Sequence, residues 1–144
     1  VISLDTIEHI PDDRAAFAEI YRLMKPGGTF VVNVPAYRWL WGPHDEALMH
    51  QRRYTRHELV SKLKEAGFQV SWCSYQVFSL FPFVVASRLV DRILRRGPSA
   101  KLPPVSPGLN RMLTKLQEKE GHFSMRLPLP WGSSVAAVAK KKPQ

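Results

Sequence analysis

The chain has 144 residues, enough for one domain, and its 44% hydrophobic content is that of a soluble globular protein. No run of about 18 apolar residues is present to span a membrane, the N-terminus has no basic stretch followed by an apolar one, and a single cysteine, Cys73, excludes an intramolecular disulfide and fits a reducing cytoplasm. The net charge of +9 is uneven: residues 1–50 hold four Lys/Arg against seven Asp/Glu, whereas residues 51–144 hold 17 against five. That imbalance points either to an anionic partner on the second half or to a solubilising surface with a terminal Lys140-Lys141-Lys142 tail.

Val1 to Leu4 reads as the end of a buried strand, so the chain is expected to open inside a fold. Asp12 is a predicted N-cap for a helix starting at Asp13, with Phe17, Ile20, Tyr21 and Met24 on one apolar face and Lys25-Pro26-Gly27-Gly28 ending it. Thr29 to Val34 is a nearly continuous apolar run, the pattern of a parallel strand covered on both faces, which completes a βαβ unit. Residues 35–54 form a long loop rich in aromatics and histidine.

Thr55-x-x-Glu58 is a capping box for the next helix, with Gly67 as its C-cap and Phe68 as the contact after it. A strand follows over 68–78, with Phe68, Val70 and Trp72 alternating on one side. Residues 82–96 pattern as a helix, 97–108 as a proline-rich linker, and Leu109, Met112, Leu113 and Leu116 as a short amphipathic helix. Ser133 to Ala139 is the last strand, introduced by Pro128-x-Pro130-Trp131-Gly132.

The chemistry-bearing residues cluster after the first strand. In open α/β sheets ligands bind outside the C-terminal strand ends, and Leu4-Asp5-Thr6-Ile7-Glu8-His9-Ile10-Pro11-Asp12 occupies that place. An acid followed by Glu at i+3 and His at i+4 can converge if the loop begins a helical turn. Equally, Glu8 and His9 can simply tie down the loop.

This segment, with Arg22-Leu23-x-Lys25-Pro26-Gly27-Gly28 and an apolar strand behind it, resembles the middle of a class I S-adenosylmethionine-dependent methyltransferase. The stretch Val34-Pro35-Ala36-Tyr37-x-Trp39-Leu40-Trp41-Gly42-Pro43-His44-Asp45 through His50-x-Arg52-Arg53-Tyr54, and the closing Pro130-Trp131-Gly132-x-Ser134, resemble one bacterial branch of that family. The resemblance implies an incomplete Rossmann-like α/β sheet running from the family's fourth strand to its antiparallel seventh, with the first three strands missing. Residues 1–144 would be the C-terminal part of one methyltransferase domain, with 82–120 inserted before the last strand.

It further implies S-adenosylmethionine as cofactor, bordered here by Leu4, Asp5 and Thr6. No G-x-G-x-x-G turn occurs in these residues, so the chain is expected to be inactive alone. Some family members that methylate hydroxyls carry Glu-x-x-Glu-His at the matching position and use Mg²⁺. Asp5 stands in for the first of those acids, and no metal is assigned.

The loop from Tyr37 to Tyr54 is the expected acceptor site. Tyr37, Trp41, Arg53 and Tyr54 are candidate substrate contacts, and His44 and His50 candidate catalytic bases. The alternative is that the aromatics pack the loop down and the arginines pair with Asp45 or Glu46. On 82–96, Arg88, Arg92, Arg95 and Arg96 lie opposite Ala86, Leu89, Val90, Ile93 and Leu94. Such a helix either covers a sheet and solvates its charges or makes peripheral contact with an anionic membrane.

The expectation is therefore a cytoplasmic or membrane-associated enzyme that methylates a small-molecule acceptor, at a hydroxyl. A metal-assisted RNA 2′-O-methyltransferase, against which the missing RNA-binding motif speaks, and a non-catalytic membrane- or partner-binding module are the rivals.

Overall fold

A computed structural model describes residues 1–99 and 105–143. The proline-rich linker expected over 97–108 therefore lies partly outside the described residues. Four strands, β1 (Ile2–Leu4), β2 (Thr29–Pro35), β3 (Gln69–Gln76) and β4 (Ser134–Lys140), form one sheet in the order β1-β2-β4-β3. β1 and β2 are parallel, and β4 inserts between β2 and β3, antiparallel to both. The last strand is thus antiparallel, as the family resemblance implies.

Helix α1 (Asp13–Leu23) is capped by Asp12, whose carboxylate accepts from the Ala15 amide at 3.0 Å. Helix α3 (Arg56–Glu65) starts in the Thr55/Glu58 capping box. Gly67, at φ +100°, turns the chain after it, where a side chain would be strained. Phe17 of α1 and Leu59 and Leu63 of α3 are buried with Phe30, Val32 and Val34 of β2 and with Val135, Ala137 and Ala139 of β4.

Two strand readings need correction. β2 is not covered on both faces: Phe30, Val32 and Val34 are fully buried, but Val31 and Asn33 are only half-buried. The alternation Phe68, Val70, Trp72 is also broken, because the register with β4 shifts between Val70 and Trp72. One extra residue reverses side-chain direction. Phe68 stays in the core against Phe30, while Trp72 turns to the opposite face and donates its indole N–H to the Ser124 carbonyl at 3.0 Å.

Ser124 belongs to α5 (Pro107–Arg126), a 20-residue helix and not the short one expected. Its Glu120 caps the turn after β3, accepting from the amides of Phe78 and Ser79 at 2.7 and 2.8 Å. The helix over 82–96 is α4 (Phe81–Ile93). No helix among the described residues is long and apolar enough to cross a membrane.

Candidate active site

β1 ends at Leu4, and the chain turns through Asp5, at φ +46°, into a 3-10 turn over Ile7–His9. The Asp5 carboxylate accepts from the Asn33 side-chain amide at 3.0 Å, and the Thr6 hydroxyl donates to the Leu4 carbonyl at 2.9 Å. Leu4 is 59% exposed and Asp5 and Thr6 are exposed. This mixed apolar and polar strip at a strand's C-terminal end fits one flank of the S-adenosylmethionine that the resemblance implies.

The 36–54 segment is an ordered structure, not an open loop. Ala36 bridges to Tyr54, a 3-10 turn spans Arg38–Leu40, and α2 covers Pro43–Ala47. It closes over the end of β1, where the Gln51 amide donates to the Glu8 carbonyl at 2.8 Å. At its centre is Asp45, fully buried. Arg53 grips both Asp45 oxygens at 2.7 and 3.0 Å, the Gly42 amide donates at 2.9 Å, and His50 Nδ1 lies 2.8 Å away. Burial alone would raise the Asp45 carboxyl, but Arg53, His50 and the Gly42 amide hold it below its ordinary value.

A carboxylate kept ionised can only accept, so His50 Nδ1 carries the proton toward it. Burial depresses His50 below the ordinary histidine value despite that partner. The ring is therefore neutral near pH 7, with its lone pair on Nε2. Glu8 is also fully buried, and among the described residues neither of its oxygens has a hydrogen-bond donor. Burial pushes its carboxyl up to about 7, helped by the negative charge of Asp5. One atom each from Glu8, His9 and His50 lie within 4.8 Å of one another, a set able to hold a metal ion, with His9 exposed at its mouth. The rings of His9 and His50 meet edge to face at 4.7 Å.

The structure therefore brings His50, but not His44, to the polar cluster. His44 sits in α2, outside the Glu8–His9–His50 group. Tyr37, at φ +57°, stacks on Tyr75 at 4.9 Å and packs beside Trp39. Trp41, with Arg38, Gln51 and Arg52, lines a depression of about 380 Å³. Two candidate substrate contacts need correction. Arg53 spends its guanidinium on Asp45 and on the Ala36 carbonyl at 2.9 Å, and its side chain is only 6% exposed. Tyr54 is buried and donates its hydroxyl to Asp13 at 2.7 Å. Both hold the loop in place, because burial has already claimed their polar groups.

Asp45 is the residue that sequence reasoning missed as the organiser of this site. Its position three residues after Gly42 and five before His50 was visible, but only folding shows which of two acids, Asp45 or Glu46, turns inward.

Residues 1–71 match the model of a methyltransferase-domain family. A Mycolicibacterium smegmatis protein named a probable S-adenosylmethionine-dependent methyltransferase is 33% identical over 72 residues, which are 49% of this chain and 28% of that protein. The fold is that of a Thermotoga maritima methyltransferase described as a possible histamine N-methyltransferase, at a TM-score of 0.55 and 17% identity, over 98% of this chain and 55% of that one. Phosphoethanolamine N-methyltransferase 2 of Haemonchus contortus, solved with S-adenosyl-L-methionine, is similar at 0.50 and 18%, over 100% of this chain and 33% of its own. The chain thus spans 28% of its curated relative and 55% of the first of these structures. Residues 1–71 therefore resemble a methyltransferase domain, and the chain shares the α/β fold of these methyltransferase structures.

Proposed function

We propose that the full-length protein transfers a methyl group to the hydroxyl of a small-molecule acceptor, with His50 as the base. The observation that carries this reading is the Asp45–His50 pair: a neutral imidazole fixed at Nδ1, with Nε2 left as the proton acceptor. Leu4, Asp5 and Thr6 would border S-adenosylmethionine, which would supply the methyl and leave as S-adenosylhomocysteine, while His50 Nε2 would take the hydroxyl proton. Asp45 then faces the imidazolium and stabilises it, while Arg53 keeps the carboxylate from rotating away. Trp41, which lines the depression with Arg38, Gln51 and Arg52, would wall the approach to the acceptor oxygen. Residues 1–144 contain no G-x-G-x-x-G turn, so we place the activity in the protein that carries one and expect these residues alone to be inactive.

In an assay of the full-length protein with small phenols, His50→Gln should lower kcat by about 10²–10⁴-fold with the KM for the cofactor little changed. A folded variant with wild-type kcat would sink the proposal. The buried, undonated carboxylate of Glu8 beside His9 and His50 favours a second reading, metal-assisted transfer to a hydroxyl such as an RNA 2′-OH. Loss of activity in EDTA with recovery on adding a divalent cation, and a preference for RNA over phenols, would move the assignment there.

A further inference from the structure

Helix α4 faces the wrong way for a helix that merely covers a sheet. None of its residues is buried, and Phe83, Leu89, Val90, Ile93 and Leu94 are 45–78% exposed. At helical spacing these residues, with Ala86, make one continuous outward face. The opposite, mixed face meets the protein, with Phe81, Val84, Val85 and Arg88 half-buried. Arg88 lies so close to Gly42 that a Cβ there would come within 3.0 Å of it, and Arg92 donates to the Trp39 carbonyl. Phe81 packs edge to face with Trp39 at 6.0 Å.

The charge around the apolar face has one sign. Residues 81–96 carry four arginines and a single acid, Asp91, and that acid is paired with Arg88 at 3.6 Å and Arg96 at 3.3 Å. Arg38 and Trp39, both exposed, flank it on the neighbouring loop. An apolar helix face bordered by arginine and tryptophan, with no free acid, matches what an interfacial helix presents to acyl chains and anionic headgroups. A second copy fits less well, because pairing this face with itself would bring two cationic rims together. Nucleic acid fits less well again, because the centre of the face is Phe83, Leu89, Val90 and Ile93, with arginines only at its rim.

We propose that α4 docks in the plane of an anionic lipid surface, with Phe83, Val90 and Ile93 at the acyl boundary and Arg95 and Arg96 among the headgroups. Docking sets the 36–54 loop, and Trp39 with it, at the membrane interface.

The test is flotation of the full-length protein with phosphatidylcholine vesicles, with and without about one-third phosphatidylglycerol. Wild type should bind the anionic vesicles, and binding should weaken about tenfold or more between about 0.05 and 0.5 M salt. Phe83→Ser with Ile93→Ser should cut binding about 30-fold or more, and Arg95→Glu with Arg96→Glu about tenfold or more. These side chains are exposed, and an unchanged melting temperature would show that the variants fold. Absence of vesicle binding by wild type, or equal binding by wild type and both double variants, overturns the proposal. So does a wild type that stays with the soluble fraction as a dimer broken by Phe83→Ser with Ile93→Ser, which would assign the face to a second copy.

Discussion

Asp13 shows how little a residue's neighbours in sequence say about its work. As the first residue of α1 it is a helix-dipole acid. In the fold it is the buried anchor of three distant groups: the Tyr54 hydroxyl at 2.7 Å, Arg52 at 3.0 Å and the Lys62 ammonium. Burial alone would raise its carboxyl, but Lys62, Tyr54 and Arg52 together hold it below its ordinary value. A depressed carboxylate stabilises the fold above its unfolded pKa, and that stability is lost as pH falls through the folded value. Asp13→Asn should therefore cost about 3 kcal/mol in urea unfolding at pH 7. The cost should shrink steadily below about pH 4, where the unfolded carboxyl is already protonated. An equal cost at pH 7 and pH 3 would show that the site is held by shape and not by charge. Asp12 as the N-cap of α1 was legible in the sequence, because capping is local; the partners of Asp13 lie 39 to 49 residues on and could not be read.

At the scale of elements, what was local was legible. The capping box of α3, the positive φ of Gly67 and the apolar face of α1 all follow from spacing within a few residues. What depends on a second element was not. Lys141, which reads as part of a charged tail, donates to the Tyr21 and Met24 carbonyls at 2.7 and 2.8 Å and closes the C-terminal end of α1. The outward turn of Trp72 is decided by a bulge against β4, and no period in the sequence marks it. Gly132 lies against β3 so closely that a Cβ would come 2.0 Å from the Gln76 carbonyl oxygen. Because that obstacle is backbone, Gly132→Ala must displace the entry to β4 and should cost about 3 kcal/mol or more. A melting temperature within a degree or so of wild type would show that the entry moves freely.

For the whole molecule, two surfaces stand out. One is the apolar face of α4. The other is the edge at β1, where Ile2 and Leu4 are 71% and 59% exposed on a strand that, among the described residues, pairs with β2 alone. An exposed apolar edge recruits other strands. The 144-residue chain should accordingly self-associate as its concentration rises, and Ile2→Lys with Leu4→Lys should suppress this in light scattering. A wild-type chain that stays monomeric and melts in one sharp transition would refute that expectation.

By itself the sequence determined the succession of the main strands and helices, the caps of α1 and α3, and the resemblance to a methyltransferase domain that residues 1–71 carry. Each of these rests on contacts between residues close in the chain or on motifs with fixed spacing. Only the tertiary structure decided that Arg53 and Tyr54 are consumed inside the loop, that Asp45 orients His50, that Glu8 is buried without a donor among the described residues, and that α4 turns Arg88 inward and its aliphatic face outward. Burial and pairing are properties of three dimensions: a side chain's periodicity tells which face it shares, but only the packed neighbours tell whether that face meets protein or solvent.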